Sequence, residues 1–453
     1  MEIAIISVFV LGYLAIALEH PLKVDKAASA LILGVVCWAL YVLGADQIPA
    51  ALVDEFTRYS SQNQMLEGKE LVSMFMEHRL LQHLSEIASI LLFLLGAMTI
   101  VETIDAHEGF RAITDKIKTT DKARLLWILS LLTFFFSAIL DNLTTTIVMV
   151  SLLRKLIDDK YNRWFFVGFL VIAANAGGAW SPIGDVTTTM LWIKKQLPDV
   201  PVIIQGLFLP SLATILVPLI VLTIKMRGQL KRPKRPANLF EENPANDKER
   251  KTIFTVGVAG LLFVPIFKTV THLPPFMGMM LSLGILWVIT EVMHRKKNAE
   301  VKRKLSVLGV LRKIDTASVL FFLGILLGVA ALQEVGSLAK MADFLQSSMG
   351  NFYAIDLTIG LLSAIVDNVP LVAAAQGMYP IAAEGVFAAN GDFWLFLAYC
   401  AGTGGSALII GSAAGVAAMG LERIDFIWYF KKLTWLALLG YFSGAAVFIF
   451  TRV

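Results

Sequence analysis

The sequence predicts an all-α integral membrane protein made of two inverted repeats, with about ten full transmembrane spans, two re-entrant hairpins and broken helices. Three observations lead there: the composition, the length of the apolar runs, and an internal repeat. Of 453 residues, 57% are hydrophobic and 16% charged, with a mean hydropathy of +0.71. A soluble chain would carry roughly 25% charged residues. Apolar runs of about 18–25 residues recur throughout, long enough to cross a hydrocarbon core of roughly 30 Å. Finally, Ser137-Ala-Ile-Leu-Asp-Asn142 returns as Ser363-Ala-Ile-Val-Asp-Asn368, and Gly177, Gly178 and Gly184 return as Gly404, Gly405 and Gly411. Ordered matches at a nearly constant offset mark a duplicated unit.

The spans fall at 3–18, 27–44, 87–104, 164–193, 202–224, 253–270, 275–292, 317–336, 393–420 and 426–450. The first reads as a retained anchor, since Glu19-His20-Pro21 follows it where small residues would mark cleavage. Residues 50–86 are mixed, with Phe56, Leu66, Leu71, Phe75, Leu80 and Leu84 at loosely helical spacing, and read as an amphipathic helix in the interface. Two further apolar stretches, 123–153 and 353–379, are each interrupted by an Asp-Asn pair. Cys37 and Cys400 both sit in apolar runs and predict neither a disulfide nor a metal site.

Loop charges set the topology. Arg111, Lys116, Lys118, Lys122 and Arg124 precede the first interrupted stretch, and Arg154, Lys155, Lys160 and Arg163 follow it. Both flanks are therefore cytoplasmic, which a hairpin turning at Asp141-Asn142 satisfies and a single crossing does not. Glu334, Asp343, Glu384 and Asp392, against a lone Lys340, place the second hairpin's ends outside. Residues 225–252 and 293–313 are basic and internal. The loops 45–86, 268–274 and 380–392 are external, with Lys194 and Lys195 a mild exception. The first repeat is then 1–225, a basic linker covers 226–252, and the second repeat is 253–453. Five spans per half invert the second copy, a build characteristic of secondary transporters.

Carboxylates inside apolar runs are costly and are functional candidates by default. Asp141 and Asp367 qualify at matched repeat positions, with Asn142 and Asn368 beside them. The plain alternative is a structural acid and amide that satisfy a hairpin's backbone. In Asn175–Thr189, glycines and Pro182 break a helix at its centre, freeing backbone for a ligand. Asp185 follows the break, and Asn175, Ser181, Thr187 and Thr188 add hard oxygens, as do Thr144 and Thr145 near the first pair. The partner stretch supplies Thr403, Ser406 and Ser412, with Ser412 where the first copy has Asp185. Its glycines also suit plain helix packing. The centres of these segments hold no Lys or Arg. Acids without counter-charge take up either a proton or a small hard cation. The sites expected for Na⁺ are Asp141, Asp367 and Asp185. Glu102, Asp105 and His107 offer a weaker proton route. No phosphate-binding loop is present, and neither a His/Glu metal pair nor a Ser/Lys dyad suggests an enzyme.

Ser137–Thr145, Asn175–Thr189, Ser363–Pro370 and Gly402–Gly415 resemble the NhaD-type sodium/proton antiporters of the ion transporter superfamily. The resemblance implies that superfamily's fold and an exchanger that expels Na⁺ or Li⁺ against H⁺ across a bacterial inner (plasma) membrane. It also implies a homodimer; separately, the net charge of +4 calls for no nucleic-acid partner, because the basic residues cluster in loops, and no cofactor beyond the transported ions is expected. Carriers of that superfamily with a Ser-Asn-Thr motif at the hairpin tips leave a sodium-coupled dicarboxylate or oxyanion carrier as the alternative. The second tip departs from the first, because Pro370 lacks the hydroxyl of Thr144.

Overall fold

The computed structural model describes residues 1–44, 52–62, 68–110, 117–226, 228–233 and 245–452. Arg111 and Lys116 of the first basic flank, Arg227, Lys234 and Arg235 of the linker, and Leu66 lie outside the described residues. Helices make up the described chain, with no strand among those residues. In order they are α1 Glu2–Ala17, α2 Lys26–Leu43, α3 Val53–Gln62, α4 Gly68–Ala106, α5 Lys122–Leu140, α6 Asn142–Leu156, α7 Lys160–Ala179, α8 Val186–Ile193, α9 Val200–Lys225, α10 Asp247–Thr271, α11 Pro275–His294, α12 Thr316–Glu334, α13 Ser337–Met349, α14 Phe352–Leu362, α15 Asn368–Met378, α16 Asp392–Gly404, α17 Ala413–Glu422, α18 Phe426–Lys432 and α19 Thr434–Arg452, with short turns between some of them.

Eight of these are long and apolar enough to cross a membrane: α2, α4, α5, α9, α10, α11, α12 and α19. The chain is a multi-pass membrane protein. Polar starts and ends give the helices their limits: Asp25, Asp121, Asp159 and Asp315 each cap a first turn by accepting from a backbone N–H two or three residues on. The separate interfacial helix expected over 50–86 is not what forms. Only α3 stands apart there, while 68–86 is continuous with the next span in the 39-residue α4. Nothing in Gly68–Ala106 after its first residue breaks a helix, since no proline interrupts it and Gly96 lies mid-span.

The chain divides into two compact units, each drawing on both sequence repeats. The smaller holds 1–92, 315–355 and 369–381. Its centre is the close packing of α2 on α12, where Gly34 and Gly324 each meet the other helix's backbone. Small residues let membrane helices approach in this way. Trp38 Nε1 donates to Leu327 O at 2.9 Å across the pair. Glu334, expected among the external flanking charges, is instead 3% exposed. It accepts from Arg79 at 2.7 and 3.1 Å and pairs with His83 at 2.7 Å. A buried carboxylate is tolerated where several donors satisfy it.

The larger unit holds 93–314, 356–368 and 382–453. Here α5 and α6 fold back on one another. Leu230 N donates to Thr120 O at 2.8 Å, just before α5, and Asp158 N donates to Lys231 O at 3.1 Å, just after α6. One strip of the linker therefore ties both ends of the hairpin. Two broken helices run beside it in opposite directions. The start of α7 meets the end of α17, where Arg163 and Arg154 pair with Glu422 at 2.7 and 2.6 Å and Trp164 Nε1 donates to Glu422 O at 2.9 Å. At the far end Asn390, before α16, accepts from Asp199 N and donates to Asp199 Oδ2 at 2.8 Å, just ahead of α9. Lys268 reaches the same end, donating to Trp192 O and Pro198 O. The loops holding Lys195 and Asn390 and the last turn of α10 at Lys268 thus share one end of this unit.

Candidate ion-binding site

The site forms where the first hairpin tip meets both helix breaks. One residue, Asp141, separates α5 from α6, with φ 77° and ψ 160°. That region is almost restricted to glycine and costs roughly 1–3 kcal/mol for other residues. The carboxylate is held by its own helix: Oδ1 accepts from Thr144 N and Oδ2 from Thr144 Oγ1, both at 2.8 Å. Asp185 repeats this design at the start of α8, accepting from Thr187 N at 2.9 Å and Thr187 Oγ1 at 2.7 Å. Each carboxylate is an N-cap, placed where the helix dipole favours negative charge. These bonds still leave lone pairs on each group for a cation.

Glycines bring the segments close enough to matter. A side chain at Gly177 would collide with the Phe134 carbonyl, and one at Gly184 would lie 2.7 Å from Ser137 O. In the second copy Gly404 stands against the Gly360 carbonyl, and a side chain at Gly411 would lie 2.6 Å from Ser363 O and Ala364 O. The hydroxyls match as well: Ser137 donates to Ala174 O at 2.5 Å, and Ser363 donates to Ala401 O at 2.9 Å. Asp185 and Ser412 have nearly the same backbone, φ/ψ −144°/142° and −144°/154°. The two copies therefore share one local architecture.

An amide chain joins them. Asn142 Nδ2 donates to Asp185 Oδ2 at 2.7 Å and to Asn175 Oδ1 at 3.1 Å. Asn175 Nδ2 then donates to Ser406 Oγ and to Ser412 Oγ, each at 2.9 Å. Asn142, Asn175, Asp185, Ser406 and Ser412 are all buried. Asp141 and Asp367 are half-buried, and Asp185 lies within electrostatic reach of both. Asn368 is buried at the start of α15. Other predicted residues point their hydroxyls into local backbone: Ser181 to Ala138 O at 2.5 Å, Thr188 to Ala179 O at 3.2 Å, and Thr403 to Tyr399 O at 2.6 Å. Thr145 Oγ1 is buried without a partner. Among the described residues no three of His, Cys, Asp and Glu gather into a metal-holding group.

The weaker candidate His107 belongs elsewhere in this unit, stacked on His294 at 5.1 Å between ring centres. The Asn142–Asp185 bond was not legible from spacing, because 43 residues and two helix breaks separate the partners.

Oppositely directed broken helices, a strained hairpin tip and buried carboxylates define a polytopic secondary transporter. The citrate-transporter family model matches residues 13–396. Sodium/proton antiporter 1 of Arabidopsis thaliana is 44% identical over 99% of this chain and 72% of its own length. Sodium/proton antiporter 2 of the same plant is 41% identical over 97% of each. The Na⁺/H⁺ antiporter NhaD of Alkalimonas amylolytica is 30% identical over 98% of this chain and 89% of its own. The chain belongs to the NhaD-type antiporter family, within the broader family whose model is named for citrate transport.

Proposed function

We propose that this protein exchanges Na⁺ for H⁺, with Asp141, Asp185 and Asp367 taking up cation and proton in alternation. The observation that carries this is the Asp185–Asn142–Asn175 chain. It links a buried carboxylate, through the N–H groups of Asn142 and Asn175, to side chains whose amide and hydroxyl oxygens are the ligand type a small hard cation prefers. Asn142, Thr144, Thr145, Asn175, Ser181, Thr188, Asn368, Thr403, Ser406 and Ser412 supply neutral oxygens around it. None of these site residues is basic, which disfavours a dicarboxylate or oxyanion cargo, since an anion calls for Arg, Lys or free helix N-termini. Here Asp141 and Asp185 already occupy two such termini.

Everted vesicles test the exchange. Adding Na⁺ should collapse a respiration-driven pH gradient, and no response between about pH 7 and 9 would overturn the reading. Li⁺ should substitute for Na⁺ in the same assay. The resemblance also supports a homodimer, which light scattering of the purified protein checks. It supports the bacterial inner membrane as the location. Membrane fractionation tests that placement.

A further inference from the structure

A fourth membrane carboxylate has no role in this scheme. Asp356 lies midway along α14, about 9 Å of helix rise before that helix ends. It is fully buried, and both carboxyl oxygens are enclosed without a hydrogen-bond partner. A thiol and a phenol lie near it without bonding to it. Cys400 on α16 and Tyr441 on α19 are the titratable groups within its electrostatic reach. The Tyr441 hydroxyl donates away, to Leu357 O at 2.9 Å, and Tyr399 donates to Tyr441 O at 2.7 Å. Thr214 closes the row against Tyr399 at 2.8 Å. An ionised carboxylate left so enclosed would be strongly disfavoured. Such a group instead keeps a proton.

We propose that Asp356 is a second proton-binding site, holding a neutral carboxylic acid in this arrangement and releasing the proton when α14 moves during transport. Its place supports a role in the cycle. One turn further on, Gly360 touches the Cys400 carbonyl and packs against Gly404 at the second helix break. Asp356 therefore sits beside the contact between the second hairpin's first leg and the broken helix, so a shift of that leg changes its surroundings. The matched position in the first copy is Ser130, whose hydroxyl is also buried and unpartnered but carries no titrating group. The proton site is thus particular to the second half.

This inference rests on the proposed exchange, and the test separates the two. Infrared spectra of purified wild type and Asp356→Asn report the acid directly. The wild type should show a carboxylic-acid C=O stretch that the variant lacks, whether or not the protein transports. In proteoliposomes, Asp356→Asn should slow Na⁺-driven proton movement on the order of 100-fold, the low end of what a placed proton-transfer group contributes. Exchange of Na⁺ for Na⁺ should persist. If Asp356→Asn does not insert, Asp356→Glu carries the test and should keep proton movement with a shifted band. Loss of the band together with loss of proton coupling supports the proposal. An unchanged spectrum, or a variant with wild-type coupling and pH profile, overturns it. A wild type that moves no protons but shows the Asp356 band overturns the exchange instead.

Discussion

Asp141 sits in left-handed backbone, clamped by the N–H and hydroxyl of Thr144. Asp367, at the matched position, is followed by Pro370, which has neither group to offer. Among the described residues with positive φ, Asp141 is present and Asp367 is not. The first leg, α5, stays helical up to its Asp, whereas α14 ends at Leu362 and turns carry the chain through Ser363–Val366. At the breaks, Asp185 in one copy faces Ser412 in the other, and Asn175 faces Gly402. Duplication kept the backbone plan, with its glycine contacts and serine props. Both tips keep their Asp-Asn pair, while the carboxylate and amide at the break, Asp185 and Asn175, belong to the first copy alone. The difference teaches that two copies of one backbone plan can hold their tip carboxylates differently, clamped by a threonine in the first and without that threonine in the second.

Neutralising each carboxylate should break the comparison most sharply. Asp185→Asn should abolish Na⁺-driven proton release, a fall of about 100-fold or more, because it removes the charge that Asn142 holds. Ser412→Ala should cost only a few-fold. Equal losses in vesicle assays would mean the two breaks act alike. Asp141→Gly separates binding from folding: glycine accepts the φ of 77° without strain. Its melting temperature should stay within a few degrees of wild type while transport disappears. Next comes packing. Gly184→Ala and Gly411→Ala should each destabilise by about 1–3 kcal/mol, since the added carbon meets backbone carbonyls that cannot yield. Similar losses in thermal unfolding would confirm that this contact is shared by both copies. Smallest is Thr144→Val, which removes one side-chain bond to Asp141 and should cost about 1 kcal/mol. A weakened Na⁺ affinity in that variant, with none in Pro370→Thr, would sharpen the assignment to the first copy.

Much of this was readable because membranes punish exceptions. Asp141, Asp367 and Asp185 stood out as charges where charge is expensive, and the glycines as breaks where helices should continue. The amide chain was not readable, because Asn142, Asn175 and Ser406 meet only after two hairpin legs and two broken helices pack together. Asp356 carried the same signal as Asp367, an acid in an apolar run, but lacked a matched acid in the other copy to draw attention. Glu334 misled for the opposite reason. Beside Lys340 it reads as a loop charge, and only its bonds with Arg79 and His83, about 250 residues earlier, explain its burial. The helix over 68–86 carries polar residues that suggest an interface, yet continuity with the apolar part of α4 decides its course.

Binding of radioactive sodium to the purified protein tests the central claim most directly. In the wild type, bound Na⁺ should fall as pH drops, because protons take the same carboxylates. Asp141→Asn and Asp185→Asn should bind little at any pH, while Ser412→Ala follows the wild type. Sodium binding that ignores pH, or that survives in Asp185→Asn, would contradict the account.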